Sequence, residues 1–289
     1  MTLGANKGKA QPGLPLPTAL TFTQLQKDLP AMPIASAQSV IQALVQARGG
    51  HHTTDAAPFA RVITSAAQAY AVQHGVAEHL AWFKPGAPAL WKTGSPSRQD
   101  EQTHARLPEH GIWHSPATTD WPFAMRGIEA EIALRLAVPV DAALAAQLDR
   151  DSACQLVDAM TVSIEVVDSR WTQGLQAPDL LKLADLQSHG ALVLGDWVPF
   201  DAAHDWSTQP CRVEISGAPA QTFVGTHSLS DPAWVLSAWL RHATQGGQVL
   251  PAGSVVTTGT WCGVLPALPG DLVVATFEGI GEARIAFSA

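Results

Sequence analysis

Ile128-Glu-Ala-Glu-Ile-Ala-Leu-Arg-Leu-Ala-Val138 has a period of two. Ile128, Ala130, Ile132, Leu134, Leu136 and Val138 alternate with Glu129, Glu131, Ala133, Arg135 and Ala137, which predicts a strand with one apolar face. The other face carries two carboxylates at i and i+2, about 6.5–7 Å apart along the chain. Such a pair repels itself unless solvent or a cation intervenes. A hard divalent ion such as Mg²⁺ accepts oxygen ligands and keeps positions for water or substrate oxygens. An exposed polar strand face carries the same pattern, so the pair by itself leaves both readings open.

A second segment downstream bears on that choice. Thr161-Val-Ser-Ile-Glu-Val-Val167 is β-branched and predicts another strand. Glu165 stands there among apolar residues, where a lone carboxylate is costly to bury. A third acidic group from a neighbouring strand is what an oxygen-ligand metal site requires. Asp168 and Arg170 follow at once, as an ion pair behind the site or as a solvated turn.

Between these strands, Val140–Asp149 is alanine-rich and helical by propensity, with Cys154–Met160 continuing the connection. Leu192–Gly195 reads as a third strand, and Cys211–Ser216 with Thr222–Val224 as a hairpin around Gly217-Ala-Pro219. Asp231–Ala243 predicts a helix with Asp231 as N-cap and Pro232 at its first position. Ser254–Thr258, Leu272–Phe277 and Ala283–Phe287 predict a strand-rich end. Upstream, the apolar spacing predicts helices over Ser36–Arg48 and Phe59–Gln73, then irregular loops around strands over 84–123. Residues 1–34, rich in Pro, Gly and Ala, predict a loosely attached arm with one short amphipathic piece, Phe22–Leu29. The organisation expected is an N-terminal arm and helical segment over 1–80 and a β-rich catalytic domain over 81–289.

The bulk properties agree with an enclosed site. Of 289 residues, 46% are hydrophobic and only 15% charged, enough for a substantial core. A net charge of -8 without clustered Lys and Arg argues against a nucleic-acid surface. No apolar run approaches the roughly 20 residues that span a bilayer, and none of secretory type follows Met1–Pro12, so a cytoplasmic protein without membrane partners is expected. Cys154, Cys211 and Cys262 are widely spaced and form no CxxC pair, which indicates neither a disulfide framework nor a thiolate zinc site.

Arg126-Gly-Ile-Glu-Ala-Glu-Ile-Ala-Leu134, followed by Ile164-Glu-Val-Val-Asp-Ser-Arg170, resembles the fumarylacetoacetate hydrolase superfamily. Its 2-keto-4-pentenoate hydratase and 4-oxalocrotonate decarboxylase branch is the nearest in pattern. Leu250-Pro-Ala-Gly253, Thr258-Gly-Thr260, Pro269-Gly-Asp271 and Glu278-Gly-Ile-Gly281 agree in order, and the likeness runs over roughly residues 60–289. The resemblance implies a β-rich α+β fold, a mixed β-roll with peripheral helices. It implies Glu129, Glu131 and Glu165 as ligands of Mg²⁺ (or Mn²⁺), Lys92 of Trp91-Lys-Thr-Gly94 as a cation facing enolate charge, and Glu109 of Pro108-Glu-His-Gly111 as proton shuttle. His110 and His114 are neighbours of a type that titrates near neutrality. Asp185, Ser188 and Thr260 fall at substrate-binding positions, with one departure: Ala184-Asp-Leu-Gln-Ser188 has Leu186 where the branch commonly carries asparagine.

The activity implied is that of a divalent-metal-dependent lyase, hydratase or decarboxylase through a metal-bound enolate, on a small 2-oxo acid or 2-hydroxydienoate of aromatic-compound breakdown. The resemblance also implies a homo-oligomer. A carbon–carbon bond hydrolase of an acylpyruvate-like substrate, and a non-catalytic 2-oxo-acid-binding or partner subunit, are the alternatives. Trp91, Trp113, Trp171 and Trp261 lie near the site segments, as core or as pocket wall.

Overall fold

The computed structural model describes Met1, residues 36–84 and residues 86–289. The arm expected over 1–34 therefore lies outside the described residues apart from Met1, and Ala35–Ala289 form one compact unit. Among the described residues the strands are β1 (Leu90–Gly94), β2 (Thr103–Leu107), β3 (Ile112–His114), β4 (Ala117–Thr119), β5 (Gly127–Leu136), β6 (Val157–Val167) and β7 (His189–Leu194). Then follow β8 (Val198–Pro199), β9 (Pro210–Ile215), β10 (Gln221–Val224), β11 (Val255–Thr257), β12 (Leu265–Pro266), β13 (Leu272–Phe277) and β14 (Gly281–Phe287). The α-helices are α1 (Ala37–Gly50), α2 (Ala66–His79), α3 (Ala142–Ala145), α4 (Arg150–Cys154), α5 (Asp179–Ala184) and α6 (Leu236–Ala243).

The period-two stretch forms β5, and it sits at the heart of the larger sheet, whose order is β2-β1-β11-β5-β6-β7-β3. Short β12 and β8 add to β5 and β6. A second sheet runs β10-β9-β13-β14-β4 and contains the expected hairpin, β9 with β10. Both sheets are mixed: β1 with β11, β3 with β7 and β4 with β14 are parallel, and the other pairs antiparallel. The even-numbered face of β5 meets the second sheet, so Ile128, Ile132, Ile164, Val273, Phe277 and Ile285 share one core and are fully buried. The α+β roll with peripheral helices is the fold the resemblance implies.

The odd-numbered face of β5 is also covered. Ala105, Leu107, Leu186, Leu192, Leu194 and Val255 form a separate apolar cluster on that side. Helices α1 and α2 pack with α5 around Val40, Leu44, Val72, Trp171 and Leu181. Trp171 and Trp261 are buried in the two cores, and Trp91 and Trp113 pack partly buried against the larger one.

Two expected elements begin elsewhere. The helix expected over Phe59–Gln73 is instead a 3-10 turn, Ala57–Phe59, and then α2 from Ala66. Ser65 caps α2 by accepting from the Gln68 N–H, and Gln68 Oε1 accepts from Thr64, which keeps Ala60–Thr64 out of the helix. Cys154–Met160 does not extend the helical connection. β6 starts at Val157, paired with Leu136 across a bulge, because ladder pairing with β5 outweighs local propensity. Asp231 caps as expected, although the first turn, Pro232–Val235, is 3-10 before α6 begins.

Candidate metal centre and active site

Register brings the three glutamates together. Glu129 lies directly opposite Glu165 in the antiparallel β5–β6 pair, and Glu131 is opposite Ser163. Facing residues of an antiparallel pair share a face at about 4.5–5.5 Å between Cβ atoms. All three carboxylates therefore project from the odd-numbered face, and one oxygen from each lies within 4.8 Å of the others. Glu131 and Glu165 are 2% and 0% exposed; Glu129 is half-buried.

Each carboxylate is held differently. Lys92 on β1 donates from Nζ to Glu165 Oε1 at 2.6 Å, and His189, the first residue of β7, approaches the same oxygen through Nδ1 at 3.0 Å. The other oxygen, Glu165 Oε2, is buried and has no partner. Glu131 Oε2 accepts from the Thr257 hydroxyl and, at 3.0 Å, from the Gly259 N–H. Ser163 Oγ lies 3.1 Å from Thr257 Oγ1.

Burial and mutual repulsion set the charge. Burial, with Glu165 nearby, pushes Glu131 up to about 7 despite the opposing pull of Lys92. Burial pushes Glu129 up to about 8; Lys92 opposes this, and Glu131 and Glu165 add to it. Glu165 goes the other way: burial disfavours its charge, but Lys92 and His189 together hold its pKa below the ordinary value. Burial also works against the Lys92 ammonium, yet Glu165, Glu129 and Glu131 keep its pKa above the ordinary lysine value.

Three carboxyl groups with one unpartnered buried oxygen and only one ammonium among them suit a divalent cation. The ion would supply positive charge that offsets the burial and mutual repulsion raising the pKa of Glu129 and Glu131. A pH effect follows. Between about pH 5 and about pH 7, unfolded glutamates (near 4.5) have lost most of their protons while Glu131 (about 7) and Glu129 (about 8) in the fold keep most of theirs. The native state then binds more protons than the unfolded state, so stability falls as pH rises. Glu165, with its pKa lowered, titrates below this window. The Tm of metal-free protein is expected to drop over this interval, and Mn²⁺ is expected to raise Tm more at its upper end. A metal-free Tm that rises with pH there would count against the assignment.

The loop before β7 closes the site. Leu186, Gln187 and Ser188 have φ of 53°, 55° and 59°. Left-handed backbone costs a non-glycine residue roughly 1–2 kcal/mol, and three in succession persist only where the surroundings over-determine them. The Gln187 carbonyl accepts from Lys92 Nζ at 3.4 Å, and its side-chain Nε2 donates to Thr103 Oγ1 at 2.5 Å. Ser188 is 1% exposed with its hydroxyl unpartnered. Leu186 points into the apolar cluster with Leu107 and Leu192.

The other candidates sit further out. Asp185 is fully buried and taken up by two guanidinium groups: Arg48 Nη2 donates to Oδ1 at 2.7 Å, and Arg170 donates from its backbone N to Oδ2 at 2.8 Å and from Nε to Oδ1 at 3.1 Å. Arg170 also bonds Asp168, the inward-facing ion pair of the two sequence readings. Thr260 Oγ1 donates to the Gly263 carbonyl, within its own turn. Glu109 is exposed at the head of the 3-10 turn Glu109–Gly111; Arg106 is its charged neighbour. Cys262 Sγ accepts from the Ala130 N–H at 3.3 Å. A cavity of about 290 Å³ beside Arg48, Trp82, His110, Trp121 and Arg170 is lined by none of the three glutamates.

Thr257, Gly259 and His189 are contacts that reasoning from the sequence missed. The β-branched run Val255-Val-Thr-Thr258, followed directly by Gly259 and Thr260, was the available sign of the first two.

Comparison with known proteins bears on the family and the fold. The family described as fumarylacetoacetate (FAA) hydrolase C-terminal matches residues 64–287. The chain is 25% identical over 123 residues to 4-oxalocrotonate decarboxylase of Pseudomonas sp. (strain CF600), covering 43% of this chain and 46% of that protein. It is 31% identical over 129 residues to 2-hydroxyhexa-2,4-dienoate hydratase of Comamonas testosteroni, covering 43% and 47%. The chain thus spans about half the length of the curated relatives it matches. Among solved structures, 4-oxalocrotonate decarboxylase from Pseudomonas putida G7, complexed with magnesium and adipate, has a TM-score of 0.74 at 18% identity over 87% of this chain and 97% of that one. The same enzyme complexed with calcium and acetate has a TM-score of 0.73, and at this identity both show a shared fold. Among the described residues no helix is long and apolar enough to cross a membrane.

Proposed function

The chain belongs to the fumarylacetoacetate hydrolase family, and from that premise we propose that it is a Mg²⁺- or Mn²⁺-dependent lyase of a small 2-oxo acid or 2-hydroxydienoate. The observation that carries this is the convergence of Glu129, Glu131 and Glu165 on one sheet face, with Glu165 Oε2 buried and unpartnered. When bound, the ion supplies a Lewis acid for negative charge developing on the substrate's 2-oxo oxygen.

The chain's own groups supply the rest. Glu129, Glu131 and Glu165 hold the ion. Lys92, largely buried and fixed between Glu165 Oε1 and the Gln187 carbonyl, carries a positive charge where it stabilises an anion better than in bulk solvent. The buried Ser188 hydroxyl has hydrogen-bonding capacity to give to a substrate oxygen. Glu109, on the exposed turn that packs against β7, carries protons between the site and solvent. Leu107, Leu186 and Leu192 lie in the buried apolar cluster on the glutamate-bearing side of the sheet, surroundings that suit a hydrocarbon tail beyond a 2-oxo acid head. Asp185 and Thr260 act at one remove, Asp185 by fixing Arg48 and Arg170.

Ultraviolet absorbance of 2-hydroxyhexa-2,4-dienoate, followed with purified protein, tests this reading. Loss of the dienol band that requires Mg²⁺ or Mn²⁺ and exceeds the buffer rate is expected. No loss with either ion, joined to no turnover of 4-oxalocrotonate, would refute lyase activity on this substrate class.

A further inference from the structure

His189 is 0% exposed, sits at the start of β7 and touches a carboxylate of the proposed metal centre, yet has no part in the reading above. Its Nδ1 meets Glu165 Oε1, an acceptor, so Nδ1 carries the proton. The bare Nε2 is buried without a partner. A buried polar atom left unpaired is a sacrifice that needs a reason.

The surroundings hold the ring to that orientation. Its residue follows the left-handed run Leu186–Ser188, whose first member is packed in the apolar cluster and whose second reaches Thr103. Arg170 Nη2 donates to the His189 carbonyl at 2.5 Å while its Nε holds Asp185. Lys92 and His189 both act on Oε1 and neither on Oε2. Glu165 is thereby held against rotation, and Oε2 is left as its one oxygen without a partner, beside a cluster in which an oxygen from each glutamate lies within 4.8 Å of the others.

The geometry points to His189 as a positioning residue that makes Glu165 a one-oxygen ligand and so tunes the centre toward small octahedral ions. Mg²⁺ and Mn²⁺ take single carboxylate oxygens in a strict geometry; Ca²⁺ is larger, accepts two oxygens from one carboxylate and tolerates irregular shells. This inference rests on the assignment of the three glutamates as ligands.

Mn²⁺ and Ca²⁺ affinities of the full chain, measured by calorimetry for wild type, His189→Leu and His189→Asn, test it. Partners of a ligand typically account for about 10–100-fold in metal affinity. His189→Leu is expected to lose Mn²⁺ affinity by about that factor and Ca²⁺ affinity by less. His189→Asn, whose amide N–H can stand in for Nδ1–H, is expected to restore most of the Mn²⁺ affinity. Wild-type Mn²⁺ affinity in a folded His189→Leu protein overturns the role of His189 and leaves the glutamate centre standing. Equal losses for both ions with no rescue by asparagine show packing rather than positioning, and overturn it too. Wild type that binds neither ion overturns the glutamate centre, and this inference with it.

Discussion

Glu165→Gln is expected to lower Mn²⁺ affinity by about 100-fold or more, because it removes a ligand outright where loss of a ligand's partner alone accounts for up to that factor. The substitution is isosteric. The amide carbonyl that it introduces would still accept from Lys92 and His189 at the position of Oε1, so those contacts (2.6 and 3.0 Å) survive in kind. What changes is the unpartnered oxygen, which becomes an N–H₂ group and repels a cation. Turnover is expected to fall by about 10²–10³-fold, the scale on which a single preorganised electrostatic contact acts. Calorimetric titration with Mn²⁺ and the dienol assay measure the two effects separately. Undiminished Mn²⁺ affinity in folded Glu165→Gln would exclude Glu165 as a ligand.

Much of this centre was legible because strand geometry is rigid. Period two placed Glu129 and Glu131 on one face, and a β-branched run around Glu165 announced the strand that faces them. The even-numbered positions, Ile128 to Leu136, are buried as the alternation requires. What stayed hidden depends on contacts between distant segments. Thr257 and Gly259 reach Glu131 only because β11 lies beside β5, the partners being 126 and 128 positions apart in the chain. Thr260 stood out by resemblance, but its hydroxyl serves the local turn. Asp185 stood out in the same way, and nothing local reveals that Arg48, 137 residues away, and Arg170 occupy it. His189 carries no sequence signal at all. Its importance comes from a register that sets His189 against Val167 and lets the ring turn back to Glu165.

Lys92→Met should separate two properties that a loss of structure would damage together. Lys92 is 8% exposed, and among the described residues its ammonium is the one positively charged group hydrogen-bonded to Glu165, the His189 ring being neutral. Removing one member of a buried ion pair typically costs about 3–5 kcal/mol, because the other charge is left uncompensated. The metal-free variant is therefore expected to unfold at markedly lower denaturant concentration than wild type. A divalent ion supplies the missing charge, so saturating Mn²⁺ is expected to recover most of that loss. Mn²⁺ should also bind more tightly, on the order of tenfold, since a like charge has left the centre. Turnover is expected to move the opposite way, down by about 10²–10³-fold, because the anion stabilised by Lys92 loses its fixed partner. Tighter metal with slower turnover is a combination that misfolding does not produce. If Lys92→Met instead weakens Mn²⁺ binding and Mn²⁺ restores no stability, Lys92 serves to assemble the carboxylates rather than to meet the substrate, and the anion must find its charge partner elsewhere in the site.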